Sequence, residues 1–458
     1  MHALFAETAL LPETGWAKNV RVTVNEAGWI ETVEAGSTPF ASDEILRDCL
    51  LLPAPANLHS HAFQRAMAGM GETRGQGESD SFWTWRALMY RFLQTLDPDQ
   101  VEAIAAMVYV EMLEAGYAAV GEFHYLHHAP DGRHYANIAE MSTRIAAAAH
   151  ATGIGMTLLP VLYCQGGIDG RPLSGGQARF GCDMAHFANL FERASEAMSM
   201  LADDSTVGIA PHSLRAVPQD VLKDAVALQF GPIHIHIAEQ VAEVEEIEAA
   251  TGSRPVRRLL DSLPVDARWC AIHATHMTAE ETDDLARSGA VAGLCPITEA
   301  NLGDGIFDGR RFIEADGRFG IGSDSNVRIA LAEELRTLEY SQRYRDRARI
   351  VLAEDGLSTG RSLYEAALAG GAQALGRQSG RLAPDFHADM VAVDVDGFAL
   401  TDTIGDAGLD GWIFAGDDRA VRHVWSAGRP VVRDGRHRDR STIEARYRHV
   451  LNELREVM

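Results

Sequence analysis

Two His-x-His pairs stand out among the residues that could do chemistry, His59-Ser60-His61 and His234-Ile235-His236. Alternate residues of a strand face the same side, so His59 and His61 can converge on one ion while Ser60 and Ala62 face away. Behind the second pair comes Glu239, and His236 and Glu239 can both reach one mouth of a fold. His234 would lie one pleat deeper, where a hydrogen-bonded core histidine is the expectation. Further on stand His273-Ala274-Thr275-His276 and Gly322-Ser323-Asp324-Ser325. Three imidazoles and a carboxylate make a ligand set for a hydrolytic metal, and such an ion lowers the pKa of its bound water to ~7. His59, His61, His236 and Asp324 are therefore the expected ligands. A site of this kind accepts zinc, iron or manganese, and zinc is the default choice.

These residues need elements that bring them together. Eight short β-like runs, at 50–61, 118–125, 155–163, 207–213, 233–240, 269–276, 290–296 and 319–325, alternate with helical stretches. The helical stretches include 99–115, 136–151, 184–202, 240–260 and 330–346, with apolar residues near helical spacing. Eight βα alternations predict a closed parallel barrel, whose active site forms at the C-terminal ends of the strands. The polar residues above cluster at those ends. Segments 19–35, 388–396 and 421–437 alternate apolar and polar residues around turns, and predict strands at both ends of the chain. The expected division is 1–50 and 381–458 in one small β domain and 51–380 in the barrel. A final amphipathic helix, 441–457, is expected to pack on the small domain or on a neighbouring subunit.

Composition narrows the function classes. The 458 residues are 46% hydrophobic and 23% charged, with a formal net charge of −24 spread along the chain. Such a surface repels nucleic acid and anionic membranes, so neither is an expected partner. Five scattered cysteines contain no C-x-x-C pair, which predicts reduced thiols and a cytoplasmic location. No basic leader or long apolar run predicts export or membrane insertion. Gly-rich loops at 166–176 and 302–309 lack the flanking elements and the lysine of a phosphate-binding loop.

The order H-x-H, H-x-x-E, His, Asp resembles the amidohydrolase superfamily in its mononuclear deaminase branch. The resemblance implies a deformed (β/α)8 TIM barrel with a small β-sandwich domain formed by both chain termini. It extends to GRLAPDFHADMVAVD (380–394), where Asp385 replaces the family's usual glycine. No lysine ends the fourth run, so the carbamylated bridge of binuclear members has no candidate and one metal ion is implied. Longer motifs are similar to those of members that hydrolyse N-formimino-L-glutamate. They are HSHAFQRAMAG (59–69), SFWTWRALMYRF (81–92), GEFHYLHH (121–128), HIAEQ (236–240), TEANLGDGIF (298–307) and GSDS with EELRTLEYSQR (322–325, 333–343). Pro296-Ile297 replaces an expected Leu-Ser before Thr298.

This resemblance implies roles. Asp324 would orient the attacking water and take its proton, and Glu239 would shuttle protons to the departing ammonia. His273, preferred over His276, would hydrogen-bond the attacking oxygen. Arg86 and Arg215 would hold the substrate's two carboxylates, since arginine matches a carboxylate bidentately. Gln64, Tyr125 and His212 resemble the family's substrate contacts, and a homodimer is implied. Arg65 reads as structural. His124, His127 and His128 have no assigned role, and at most one of them should touch the site. Two other readings use the same sequence: a deaminase of guanine or an adenosine derivative, and a non-catalytic scaffold relative. A neutral base has no use for two carboxylate-binding arginines, and a scaffold would be expected to have lost ligands.

Overall fold

Strands from the two ends of the chain share one sheet because each supplies the edge the other lacks. In the computed structural model, which describes residues 2–73, 82–395 and 403–457, His2–Leu11 pairs with Gly15–Val24 on one side and with Glu44–Pro53 on the other. Glu44–Pro53 then pairs antiparallel with Met390–Asp394, and Val421–Ser426, Arg429–Arg433 and Arg436–His437 follow in order. Ile30–Glu34 forms the opposite edge. The period of two sorts the side chains between two cores. Cys49, Leu51, Met390 and Ala392 join Leu4, Val22 and Trp425 in a core of the sheet's own. Leu50, Leu52, Val391 and Val393 turn the other way, into the barrel's core. This is the β-sandwich expected from the termini.

The run at 50–61 therefore divides between the two layers. Leu51 and Leu52 pair with Ala392 and Val391, and only Ala56–Ser60 enters the barrel. Pro53 and Pro55 interrupt the ladder between them, since proline has no N–H to donate. Where the two ends meet, Gly28 (φ +84°) leaves no room for a side chain, and a Cβ there would lie 2.2 Å from Ala427 O. Asp385, in the family's glycine position, adopts φ +66°. Aspartate tolerates that left-handed conformation better than most residues, which accounts for the exchange. Ser81 and Asp396, at the ends of a motif and of an expected strand, lie outside the described residues.

The barrel strands are Ala56–Ser60, Ala119–His124, Gly155–Leu162, the short pair Thr206–Val207 and Ala210–Pro211, Ile233–Ile237, Trp269–His273, Val291–Leu294 and Arg318–Ile321. They form two parallel arcs, closed by the bridges Ile209–Ile233 and Ser60–Asp324. The expected helix at 240–260 is two helices, Val241–Thr251 and Pro255–Ser262. Gly252 at φ +73° ends the first and Pro255 starts the second. The C-terminal helix Arg440–Val457 rests chiefly on the barrel helix Pro98–Glu114, to which Arg446 binds through Glu102 and Arg440 through Glu114. The small domain is not its main support. Among the described residues no helix is long and apolar enough to cross a membrane.

Barrel and sandwich are joined by a buried charge cluster. Arg377 forks onto Asp389 (2.7 and 2.9 Å) and reaches Asp204 (3.0 Å), which Arg429 also binds at 2.7 Å. Removing the central guanidinium leaves Asp389 buried without its counter-charge. Arg377→Met should therefore cost about 3–5 kcal/mol of stability, measured by urea denaturation. A loss below about 1 kcal/mol, the worth of an exposed pair, would contradict this role for Arg377.

Candidate active site

Four side chains converge where the barrel closes. His59 and His61 leave the end of the first strand, His236 comes from the fifth, and Asp324 follows the eighth. Their ligand atoms all lie within 4.8 Å of one another and all four residues are buried. The closure itself sets the spacing. Backbone N–H groups of Ser323 and Asp324 donate to His59 O, and His61 N–H donates to Asp324 O. Asn57 accepts from Ser323 N–H (3.1 Å) and donates to Ser323 Oγ (2.6 Å), while Asn326 donates to Ser60 Oγ (3.1 Å). Asp324 is held at φ +44° within this network, a strained conformation for a residue with a side chain.

The ring orientations test whether a cation fits. His61 Nδ1 lies 2.9 Å from Phe123 O, and His236 Nδ1 lies 3.2 Å from His212 O. A carbonyl only accepts, so both Nδ1 atoms carry the proton and both Nε2 atoms present a lone pair. Those lone pairs face Asp324 and His59. His61 Nε2 is 3.2 Å from Asp324 Oδ1, and His236 Nε2 is 3.2 Å from His59 Nε2, itself 3.4 Å from the same carboxylate oxygen. The His61 lone pair against a carboxylate oxygen is a repulsive contact that a positive charge between them relieves. The separations match the ~3.3 Å edge of a tetrahedron whose metal–nitrogen bonds are about 2.0–2.1 Å. The residues therefore fit a divalent ion. His273, Cys295 and Asp324 also approach one another. Burial and the nearby carboxylates, however, push the Cys295 thiol well up, so it stays protonated and is a poor ligand.

Beside these four lie the titratable groups. Glu239 is buried, and burial foremost pushes its carboxyl up to about 7. Its N–H donates to Glu243 (3.0 Å), which fixes the turn after the fifth strand with Ala238 at φ +53°. His273, at φ +68°, places Nε2 3.8 Å from Glu239 and 4.0 Å from Asp324 Oδ2. Burial works against a charge on this imidazole, but Glu239, the hydrogen bond to Glu299 and Asp324 outweigh it and raise its pKa well above the usual value. Glu299 accepts from His273 Nδ1 (3.1 Å) and from Cys295 N–H (2.9 Å). His276 is turned away, with Nε2 donating to Asp304 O at 2.7 Å.

His61, His236, Glu239, His273 and Asp324 share a cavity with Gln64, Arg86, Tyr125, His212 and Arg215, so the expected residues are brought together. His59 lies beneath it. Gln64 donates to Tyr125 Oη (2.7 Å), and Arg86 donates to Tyr90 Oη (2.7 Å) and Tyr163 Oη (3.3 Å). Arg215 is mostly buried, with Nε 3.9 Å from Glu243. His234 donates Nε2–H to Ala374 O (2.7 Å), as a core histidine should. Arg65 pairs with Glu111 and with Asn326 O and Val327 O, a structural tie between the ends of strands one and eight. None of His124, His127 and His128 lines the cavity.

Sequence reasoning gave no role to Glu299, Tyr90, Tyr163 or the Asn57–Asn326 network. For Glu299 a signal existed, since it falls inside the TEANLGDGIF motif. Tyr90 likewise falls inside the SFWTWRALMYRF motif, whereas Tyr163 carried no spacing that would separate it from core aromatics.

Comparison with known proteins agrees with this geometry. Residues 50–431 match the Amidohydrolase family, and the chain belongs to that family. Residues 1–46 match the Formimidoylglutamate deiminase HutF, N-terminal domain. Formimidoylglutamate deiminase of Pseudomonas aeruginosa is 50% identical over 99% of this chain and 100% of its own. Within the amidohydrolases the chain thus falls among the formimidoylglutamate deiminases. A crystal structure of an amidohydrolase from Brucella melitensis is 49% identical, with a TM-score of 0.94 over 99% of this chain and 100% of that one. A zinc-bound adenosine deaminase from Xanthomonas campestris, 22% identical with a TM-score of 0.81 over 99% and 98% of the two chains, shares the fold.

The facing lone pairs generate a prediction. Protein dialysed exhaustively should retain about one equivalent of divalent metal, and His61→Ala should lose it. A chelator should abolish activity, and added zinc should restore it. Elemental analysis decides the matter: wild-type protein fully active without metal would refute it.

Proposed function

We propose that this enzyme hydrolyses N-formimino-L-glutamate to N-formyl-L-glutamate and ammonia, a step of histidine degradation. One observation carries the reading: Arg86 and Arg215 line the same cavity as Glu239, His273 and Asp324. A dianionic substrate with a reactive C=N group is thereby matched at both ends. The half-identical relative bears the name of this activity.

When bound by His59, His61, His236 and Asp324, a divalent ion supplies the Lewis acidity that makes water a nucleophile near neutral pH. We take zinc as the ion, in keeping with the zinc-bound relative of the same fold. Asp324 orients the attacking water and takes its proton at Oδ2, the oxygen nearer His273. His273, clasped by Glu299, keeps its own proton and directs Nε2–H at the attacking oxygen. Glu239, with its pKa raised to about 7, can both accept and release a proton near neutrality. It passes the proton that Asp324 took from water to the departing nitrogen; the C–N bond then breaks, the attacking oxygen gives its second proton to Asp324 as the formyl C=O forms, and ammonia leaves. Arg86 and Arg215 hold the glutamate carboxylates, while Gln64, Tyr125 and His212 orient the formimino group between them. All five cysteines are free thiols, which suits a reducing cytoplasm. A homodimer is the assembly in this reading.

Two outcomes follow for the proton shuttle and the clamp. Glu239→Gln should keep its metal and bind substrate, yet lose ~10²–10⁴ in turnover. Near-normal kcat in that variant would move the shuttle to another residue. Replacing either arginine removes a charge-assisted hydrogen bond worth roughly 1.5–3 kcal/mol. Arg86→Met and Arg215→Met should thus lower kcat/KM about 10- to 150-fold. Ammonia release from a substrate panel tests the assignment itself, and faster release from guanine or an adenosine derivative than from formiminoglutamate would overturn it.

A further inference from the structure

A second group of histidines gathers side chains that the reaction does not use. His128 ends the GEFHYLHH motif, His134 lies in the loop beyond it, and His186 sits in the first turn of Met184–Met198. Each offers a ring nitrogen, and these atoms lie within 4.8 Å of one another. The His128 and His134 rings stack at 4.5 Å, and His186 meets His134 edge-on at 4.1 Å. His128 Nε2 is 2.7 Å from Gly181 O, so Nε2 carries the proton and Nδ1 is left with its lone pair. His186 Nε2 is buried and has no hydrogen-bond partner. Burial foremost, and the neighbouring rings, keep the His128 and His186 imidazoles below their usual pKa, so both are neutral at pH 7.

Stacked imidazoles beside an unpartnered buried nitrogen of His186 are poor packing but good ligation. We propose that His128, His134 and His186 form a second metal site, separate from the hydrolytic centre, that takes a divalent transition metal of the zinc class through three imidazole nitrogens. The carbonyl of Gly181 does for His128 what those of Phe123 and His212 do for His61 and His236: it fixes which nitrogen faces the ion. A fourth position is left to solvent, since His134 is exposed. The site joins the loop that begins at Tyr125, which lines the substrate cavity, to the start of Met184–Met198, just after Phe180, which also lines it. Arg179 O accepts from the N–H groups of His127 and His128, and Arg179 Nε donates to His128 O (2.9 Å). Arg179 also binds Leu93 O, at the end of the helix that carries Arg86. A metal here would tie His186 to that wall and stabilise the folded state.

The test uses tag-free holoenzyme that retains its tightly held metal after dialysis. Equilibrium dialysis against zinc chloride, read by elemental analysis, should show one further equivalent taken up, with a rise in melting temperature. His134→Ala, at an exposed position where folding is not at risk, should lose both the extra equivalent and the rise while keeping the first metal. His186→Asn should do the same. No further zinc uptake by the wild-type holoenzyme, or equal uptake by the variants, would overturn the proposal.

Discussion

The join between the last and first barrel strands is the constraint on which the site depends. A parallel barrel must close somewhere, and here it closes by the bridge between Ser60 and Asp324. That contact fixes Asp324 beside His59 and His61, residues 263 to 265 positions away in the chain. The hydrogen bonds from Asn57 and Asn326 hold the join on its buried side. The convergence of the ligand set and the closure of the barrel are therefore one structural feature. Ligands from strands one, five and eight converge only when the ring is shut, and there the His61 lone pair faces the Asp324 carboxylate.

Strain collects at the same rim. Ala238, His273 and Asp324 all adopt left-handed backbone conformations at the ends of strands five, six and eight. Each such residue costs of order 1–3 kcal/mol, and it persists only where its surroundings over-determine it. Here they do: His276 N–H binds Ala238 O, Ala274 N–H binds Ile237 O, and Glu299 grips the His273 ring. The strain accompanies His273 and Asp324 side chains that both line the common cavity. It also crowds acids together, and burial foremost, with Glu239 beside it, pushes Asp304 up to about 9. Gln240 donates its side-chain N–H to Asp304.

Much of this was legible in the sequence because its chemistry is written at short range. His-x-His on a strand, a carboxylate three residues after the second pair, and an aspartate closing the last run each carry their geometry in their spacing. The eight alternations announced the barrel in the same way. What spacing could not convey was long-range partnership. Leu50–Pro53 looks like the start of a barrel strand until Met390–Asp394 claims it. The C-terminal helix shows an amphipathic face but not its support, the helix Pro98–Glu114. Glu299, in the helix Pro296–Leu302, meets His273 across an intervening helix and strand, and no periodicity links them. The three outer histidines come from one loop and a helix start, and their meeting is purely tertiary.

The interleaving of the two chain ends in one sheet has a consequence for biogenesis. As the polypeptide leaves the ribosome, His2–Leu11, Gly15–Val24 and Glu44–Pro53 emerge long before Met390–Asp394, the neighbour of Glu44–Pro53 on its far side. Until more than three hundred further residues have been synthesised, Glu44–Pro53 remains an open, apolar edge of the kind that pairs readily with other chains. The barrel can organise in the interval, because its strands are contiguous in sequence. The sandwich cannot. A nascent chain stalled before residue 390 would thus carry a formed or forming barrel beside a sticky half-sheet, and its hazard is aggregation through that edge rather than loss of the metal ligands, all of which would already have been made.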